Sequence, residues 1–233
     1  MRLDLGAQAH AEAAARMREF ILAMQAIWRC WETGEKLNFE GEFYQHNLMT
    51  PMFVPGKKDF GAPEVYLAAV GPLMTETAAE VASGMIAHGF TTARYLQEVT
   101  LPAVEKGLAK AGRSRSNFDI CSPIMVVSGA TPEAFEQSLA AVKSQLAFYA
   151  STPAYRPVLE LHGWGELQGE MNQLTREGKW TEMADKVSDD MLEAFAIVAE
   201  DPADIPALLH NRYGGLVDTW QCTYESGDDE QQK

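Results

Sequence analysis

Apolar residues in this chain follow two alternating patterns, one with the period of a helix and one typical of a short buried strand. Between Glu12 and Trp31 they recur every three or four positions, which predicts an amphipathic helix that Gly34 ends. The segment from Leu37 to Gly61 contains several Gly and Pro residues and no sustained period, so we expect a long loop there. A helix and a loop are thus expected before the first strand.

Three strand-then-helix units are predicted after this loop. Each begins with a short apolar run, which is followed by a turn signal and a stretch of helical period. The strands and the helices that follow them are Glu64–Val70 with Met74–Ser83, Met85–Ala87 with Tyr95–Ala111, and Phe118–Ser128 with a helix that Thr131-Pro132-Glu133 starts. Strands that alternate with helices are typical of a parallel sheet covered by helices, so the predicted fold class is α/β.

The C-terminal part of the sequence gives weaker signals. The segment from Ser151 to Lys186 carries several Gly residues and weak helical patterning, which indicates a region inserted at the rim of the sheet. A helix is predicted from Asp189 to Ala199, and Asp201-Pro202 starts another that ends near Tyr213. The segment from Leu216 to Tyr224 is the last predicted strand, which makes four in all.

The length of 233 residues is enough for one domain with a sizeable core. We assign residues 1–225 to that domain and expect the polar, acidic residues 226–233 to form a disordered tail. A composition of 46% hydrophobic and 22% charged residues is ordinary for a globular protein. A conventional core is therefore expected.

The formal charge of −14 disfavours binding to nucleic acid or to an anionic membrane, because phosphate groups are met by clustered Lys and Arg. Cys30, Cys121 and Cys222 are far apart and lack CxxC spacing, which suggests neither a disulfide framework nor a zinc site. No basic leader with an apolar core and no apolar run of about 20 residues is present. We expect a cytoplasmic protein with no nucleic-acid or membrane partner.

The turn Val70-Gly71-Pro72 is the clearest candidate for ligand binding, because it joins a predicted strand to a predicted helix. Unpaired backbone N–H groups and the helix dipole at such a position favour a phosphate, and glycine lets the backbone approach it closely. Neither a GxGxxG nor a Walker A motif is present, so a plain tight turn explains the same residues.

His88 follows the next predicted strand, in Ala87-His88-Gly89-Phe90, where a side chain can reach a ligand or serve the structure alone. Thr91-Thr92 can donate hydroxyls to an anion or cap the next helix, and capping is the favoured interpretation. HExxH and GxSxG motifs are absent from the sequence. We therefore assign no catalytic residue and no metal site.

Longer stretches around these residues resemble one known family, the luciferase-like monooxygenases, and especially their deazaflavin (coenzyme F-420) dependent oxidoreductases. The resemblance extends over nearly the whole chain. The stretches that carry it are Met17–Trp28, Phe39–Tyr44, Val65–Thr75, Ala78–Gly84, His88–Tyr95 and Arg212–Asp218.

The resemblance implies a partial (β/α)8 TIM barrel with parallel strands and helices outside. The first four strands of the family have no counterpart before Glu12, so this chain resembles the C-terminal portion of a barrel. Family members bind the cofactor across the carboxyl ends of the strands. The residues that the resemblance assigns to cofactor binding are Val70, Gly71, Pro72, Met74, His88 and Gly89.

The implied function is hydride transfer between coenzyme F-420 and a small organic substrate that the sequence does not identify. An FMN-dependent monooxygenase is the alternative within the family. A third alternative is a non-catalytic remnant or interaction module that pairs its sheet edge with another chain, such as a second copy of itself. Because half of the family's pocket has no counterpart here, little turnover is expected from this chain alone.

Overall fold

The computed structural model describes residues 5–55 and 59–223, with side chains from residue 9 to residue 221. This part of the chain divides into two compact units. The first contains the residues up to Ile86 together with Pro102–Asp119, and the second contains Ala87–Leu101 and the residues from Ile120 onward.

From Tyr66 onward, the described part of the chain consists of parallel-sheet strands with helices between them. The helices are α1 (Leu5–Thr33), α2 (Pro72–Val81), α3 (Ala93–Tyr95), α4 (Leu101–Ala111), α5 (Pro132–Ala150), α6 (Arg156–Leu161), α7 (Leu167–Glu177), α8 (Trp180–Ala184), α9 (Asp189–Phe195) and α10 (Ile205–Tyr213). The strands are β1 (Phe39–Glu40), β2 (Gln45–His46), β3 (Tyr66–Ala69), β4 (Gly84–Ala87), β5 (Asp119–Val127), β6 (Ala196–Val198) and β7 (Thr219–Thr223). A π-helical turn, Leu96–Thr100, joins α3 to α4.

In the first unit, the apolar stripe of α1 packs on the end of α2. Ile21 is buried against Val81 and Ala82, as the helical period of the sequence requires. The polar edge of the same contact is an ion pair of 2.6 Å between Arg18 Nε and Glu80 Oε1. The amphipathic helix predicted over Glu12–Trp31 is confirmed, and it extends further in both directions.

The predicted loop over Leu37–Gly61 contains a short antiparallel hairpin, β1–β2. The carboxylate of Glu19 on α1 accepts hydrogen bonds from the backbone N–H groups of Glu42, Phe43 and Tyr44, at 2.9, 2.7 and 2.6 Å. Desolvation raises the pKa of Glu19, but these three donors bring it below its ordinary value. The hairpin turn is thus tied to α1 by one charged side chain.

Helices α2 and α4 lie so close together that only a glycine fits between them. A Cβ on Gly107 would lie 2.8 Å from the Cβ of Ala79 and even closer to the backbone of Glu76. The Glu76 side chain is buried and forms ion pairs with Lys106, at 2.7 Å, and with Lys110. Hydrogen bonds from these lysines lower the pKa of Glu76.

In the second unit, β5 pairs in parallel with two other strands. Its residues Met125–Val127 lie beside β6, and Cys121–Met125 lie beside β7. The core lies between the sheet and the helices that follow it. Its fully buried large side chains include Leu146, Leu159, Met171, Met183 and Phe195.

The structure confirms the α/β class and the parallel pairing expected of it. The strands predicted over Glu64–Val70, Met85–Ala87 and Phe118–Ser128 correspond to β3, β4 and β5, and the prediction over Leu216–Tyr224 contains β7. The prediction of one helix over Asp189–Ala199 is wrong at its end, because α9 stops at Phe195 and β6 follows directly.

Two further predictions concern segments with less regular patterning. The inserted region predicted over Ser151–Lys186 contains helices α6, α7 and α8. The predicted tail, residues 226–233, lies outside the described residues. None of the helices within residues 5–55 and 59–223 has both the length and the apolar composition needed to cross a bilayer.

Candidate functional site

The glycine turn lies in the first unit, between β3 and α2. Gly71 is the residue before the first turn of α2, and no side chain caps the helix there. Pro72 occupies the first helical position, and the first turn contains no acidic residue. The first N–H groups of a helix have no partner within the helix, so this end favours an anion.

Within the described residues, neither the backbone conformation nor the packing requires a glycine at position 71. This distinguishes Gly71 from the other glycines of the unit. Its φ of −102° and ψ of 166° are extended values that any residue adopts. A Cβ at this position would meet no atom within 4 Å. At Gly84 and Gly107, by contrast, a Cβ would lie within 3.0 Å of neighbouring atoms. The open space beside Gly71 fits a group that approaches the backbone closely, such as a phosphate.

The other residues predicted for this turn lie next to Gly71 along the chain. Val70 follows β3 and is 40% exposed, although it is apolar. Met74 lies on the first turn of α2 and is half-buried. The structure thus brings Val70, Gly71, Pro72 and Met74 together in one open turn, and their role in binding stays a prediction.

His88 lies in the second unit, directly after β4, and its ring is held by an aromatic cluster. Its ring stacks on that of Tyr155, with centroids 4.4 Å apart, and meets the edge of Tyr149 at 4.9 Å. Nδ1 of His88 accepts a hydrogen bond of 3.0 Å from the backbone N–H of Phe90. Nε2 lies 3.0 Å from the hydroxyl of Tyr155. We name the residues His88, Phe90, Tyr149 and Tyr155 the histidine cluster.

Of the residues that follow His88, Thr92 has the capping role that the sequence favoured, whereas the role of Gly89 is untested. Gly89 lies beside Pro123 of β5, whose carbonyl oxygen would be 3.8 Å from an added Cβ. This is ordinary van der Waals contact, so the assignment of Gly89 to a ligand stays a prediction. Thr92 caps α3 by accepting a hydrogen bond from the N–H of Tyr95, as favoured from the sequence.

A second histidine adjoins this cluster through Phe195, which stacks on Phe90 with ring centroids 4.3 Å apart. Nε2 of His162 lies 2.9 Å from the hydroxyl oxygen of Thr92. The imidazole stacks on Trp164, with centroids 4.9 Å apart and planes 10° apart. Both histidines are therefore fixed in orientation by aromatic rings and by hydrogen bonds.

Both histidines are expected to make the free energy of unfolding increase as the pH rises. Burial lowers the pKa of His88. Burial also lowers the pKa of His162, and Arg94 acts in the same direction while Glu98 opposes it. Because the unfolded chain binds more protons below about pH 6.5, we expect the free energy of unfolding to rise with pH through the folded-state pKa values and to level off above about 6.5.

Urea unfolding between about pH 5 and about pH 8 measures this dependence. The double variant His88→Gln with His162→Gln should show a flatter profile than the wild type. The control is His10→Gln, which changes an exposed histidine of α1 and should keep the wild-type slope. An unchanged slope in the double variant would contradict the assignment of the pH dependence to this pair.

No motif in the sequence marks Tyr149, Tyr155 or His162, which come from α5 and the region after it. Their contacts with the loop after β4 are separated by about 60 to 70 positions along the chain. Clustered aromatic residues near Ser151 were the available hint. No group of His, Cys, Asp or Glu within the described ranges is arranged to hold a metal ion.

A groove of about 490 Å³ lies in the same unit, between α5 and α8, and is lined by Leu139, Lys143, Trp180 and their neighbours. It contains none of the residues predicted for cofactor binding. Its position between helices, away from any strand end, is unlike that of a cofactor site in a barrel.

The model of the luciferase-like monooxygenase family matches residues 2–219. The chain belongs to this family, as the resemblance predicted. It is 48% identical over 206 residues to an uncharacterised protein of Mycobacterium tuberculosis, covering 88% of this chain and 60% of that protein. It is 30% identical over 188 residues to the 5,10-methylenetetrahydromethanopterin reductase of Archaeoglobus fulgidus, covering 78% of this chain and 52% of the reductase.

A solved structure with the same fold is the coenzyme F-420 dependent tetrahydromethanopterin reductase from Methanopyrus kandleri. The TM-score is 0.70 at 24% identity, covering 93% of this chain and 59% of the reductase. This likeness confirms the predicted fold, part of a (β/α)8 barrel. Glucose-6-phosphate dehydrogenases named for F-420 are also among the relatives. The chain spans between 52% and 60% of the lengths of the two sequence relatives described above.

Proposed function

We propose that this protein is an oxidoreductase that transfers hydride between coenzyme F-420 and a small organic substrate. The observation that carries the proposal is the open turn at Gly71, where glycine is required neither by backbone conformation nor by packing. The relatives support the choice of coenzyme, because those with a named activity include F-420-dependent enzymes.

In this proposal, Val70, Gly71, Pro72 and Met74 hold the phosphate-bearing end of the coenzyme. The N–H groups at the start of α2 donate to phosphate oxygens, and the absence of an acidic residue from its first turn avoids repulsion. The assignment of His88 and Gly89, which belong to the second unit, to coenzyme binding stays a prediction from the family resemblance. When bound, the coenzyme supplies the hydride chemistry, while the protein binds and orients the coenzyme and excludes water.

Replacement of Gly71 by valine tests the proposal. The extended backbone accepts valine without strain, and the poorer helix cap costs at most about 1 kcal/mol. The added side chain fills the space meant for the phosphate, so we expect coenzyme F-420 to bind at least about tenfold more weakly. Quenching of deazaflavin fluorescence measures the dissociation constant.

The control for this experiment is Gly169→Ala, an exposed helical position where a Cβ meets nothing within 4 Å. It should bind the coenzyme as the wild type does. Equal dissociation constants for the Gly71 variant and the wild type would remove the turn from the site. Tighter binding of FMN than of F-420 would favour the monooxygenase alternative, and binding of neither would favour an interaction module.

A further inference from the structure

Exposed apolar side chains are concentrated in the first unit. Within the described ranges, all but two of the large apolar residues that are exposed belong to this unit, and the exceptions are Phe148 and Trp180. Single exposed apolar residues are normal on a monomer, whereas their concentration on one part of a molecule is typical of an interaction surface. Two of them, Tyr66 and Ile86, lie on neighbouring strands of the sheet.

The strand β3 has one face covered by helices and one face that is open. On the covered face, Leu67 packs against a cluster that contains Ile21 of α1 and Val81 of α2. Successive residues of a strand point to opposite faces, so Tyr66 and Ala68 lie on the face away from these helices. Both residues are exposed. Within the first unit, the helices therefore cover only one side of this strand.

Ile86 of β4 belongs to the same face as Tyr66. A Cβ added to Gly84 would lie within 3.0 Å of the Tyr66 ring, so Gly84 faces that ring. Ile86 follows two positions later on the same strand and therefore points the same way, and it is 40% exposed. The Tyr66 hydroxyl donates to Asp119 Oδ2 at 2.5 Å, which holds the ring in place. We name Tyr66, Ala68 and Ile86 the open face.

The open face ends at the edge of the sheet. Among the described strands, β3 stands last in the strand order and has β4 as its neighbour. Sheets built from strand-then-helix units are normally covered on both faces, or they are closed into a barrel. The likeness to the reductase from Methanopyrus kandleri, of which this chain covers 59%, identifies the fold as part of a barrel. In a closed barrel, side chains of the other strands fill the inner face and no strand edge remains.

We propose that the open face and the edge of β3 bind a second polypeptide, which carries the complementary β/α units of the barrel. A strand of that partner pairs with the backbone N–H and C=O groups of β3. Apolar side chains of its strands cover Tyr66, Ala68 and Ile86. The inference is independent of the proposed function, because it concerns this face of the sheet and not the turn at Gly71.

A second copy of this chain fits the same surface less well, for two reasons. A two-fold axis at this edge would pair β3 with itself in antiparallel orientation, which does not continue a barrel of parallel strands. In addition, a formal charge of −14 on each copy opposes self-association. The partner is therefore expected to be a different polypeptide with strands that are apolar on both faces.

Coproduction of two polypeptides tests the inference. One is the full chain of 233 residues with an affinity tag, and the other is the part of the Mycobacterium tuberculosis relative that precedes its match with this chain. The match is 48% identical, so that part of the relative is suited to a surface similar to the open face. We expect a 1:1 complex in size-exclusion chromatography with light scattering, and slower hydrogen exchange at the amides of Tyr66–Ala69 than in the chain alone. Recovery of the tagged chain without this segment, as a monomer or as a homodimer, would overturn the proposal.

The variant Ile86→Glu tests the open face itself, because it places a carboxylate where the partner buries an apolar side chain. The position is exposed in the chain alone, so we expect unchanged urea unfolding of that chain but a complex that dissociates at least about tenfold more readily on dilution. Phe148→Glu is the matched control, since it introduces the same charge at a 51% exposed position of the second unit and should leave the dissociation constant unchanged. Ala68→Lys, at an exposed position of β3, repeats the test if Ile86→Glu lowers stability. Wild-type dissociation constants for Ile86→Glu and Ala68→Lys would remove the open face from the interface.

Discussion

The substitution Phe195→Ala should lower the free energy of unfolding by about 3–5 kcal/mol. Phe195 is 1% exposed at the end of α9 and stacks on Phe90 with ring centroids 4.3 Å apart. The centroid of its ring also lies 6.3 Å from that of His162 and 6.4 Å from that of Trp164. Removal of the ring loses buried apolar surface. It also leaves a cavity, because the closely packed neighbouring side chains relax into it only in part. Urea or thermal unfolding measures the loss.

Phe148→Ala provides the control for this change. Phe148 lies on α5 in the same unit, but its side chain is 51% exposed. Its removal should cost less than about 1 kcal/mol, because little surface is buried there. A cost for Phe195→Ala as small as that of the control would mean that the aromatic core is not packed as described.

The second large effect is expected from Gly107→Ala, which should destabilise the protein by about 1–3 kcal/mol. Alanine favours a helix over glycine by about 1 kcal/mol, so propensity alone predicts a gain. The added Cβ, however, would lie within 3.0 Å of the backbone of Glu76 and of the Cβ of Ala79. Backbone atoms cannot move aside as a flexible side chain can, so α2 and α4 must separate.

Gly169→Ala serves as the matched control, because Gly169 is also inside a helix, α7, and a Cβ there meets nothing within 4 Å. It should stabilise the protein by about 0.5–1 kcal/mol. The two variants are thus expected to change stability in opposite directions in the same urea titration. A stabilising effect of both would refute the close contact between α2 and α4.

Local sequence patterns predicted most of the helices and strands, because short apolar runs and helix starts are set by neighbouring residues. Thr131-Pro132 and Asp201-Pro202 mark the starts of α5 and of the turn before α10, as expected. The strand β6 was missed for a physical reason. Its three residues follow Phe195 without a turn signal, and a short apolar run after a helix fits either structure.

The site was predictable only where its residues are close together in the sequence. The Gly71 turn was predictable because a strand pattern, a glycine, a proline and a helix start follow one another directly in the sequence. Tyr155 and His162 did not, because their partners lie 67 and 70 positions away. Nor does any local pattern identify Glu76 as the buried ion-pair partner of two lysines on α4. Such long-range pairs leave no periodic signal in one sequence.

Fluorescence titration of the wild-type protein with two ligands tests the phosphate site at Gly71. Coenzyme F-420 carries a phosphate, and the phosphate-free deazaflavin has the same ring and ribityl chain. If the start of α2 grips the anionic end, F-420 should bind at least about tenfold more tightly. Equal dissociation constants for the two ligands would contradict the phosphate site at Gly71.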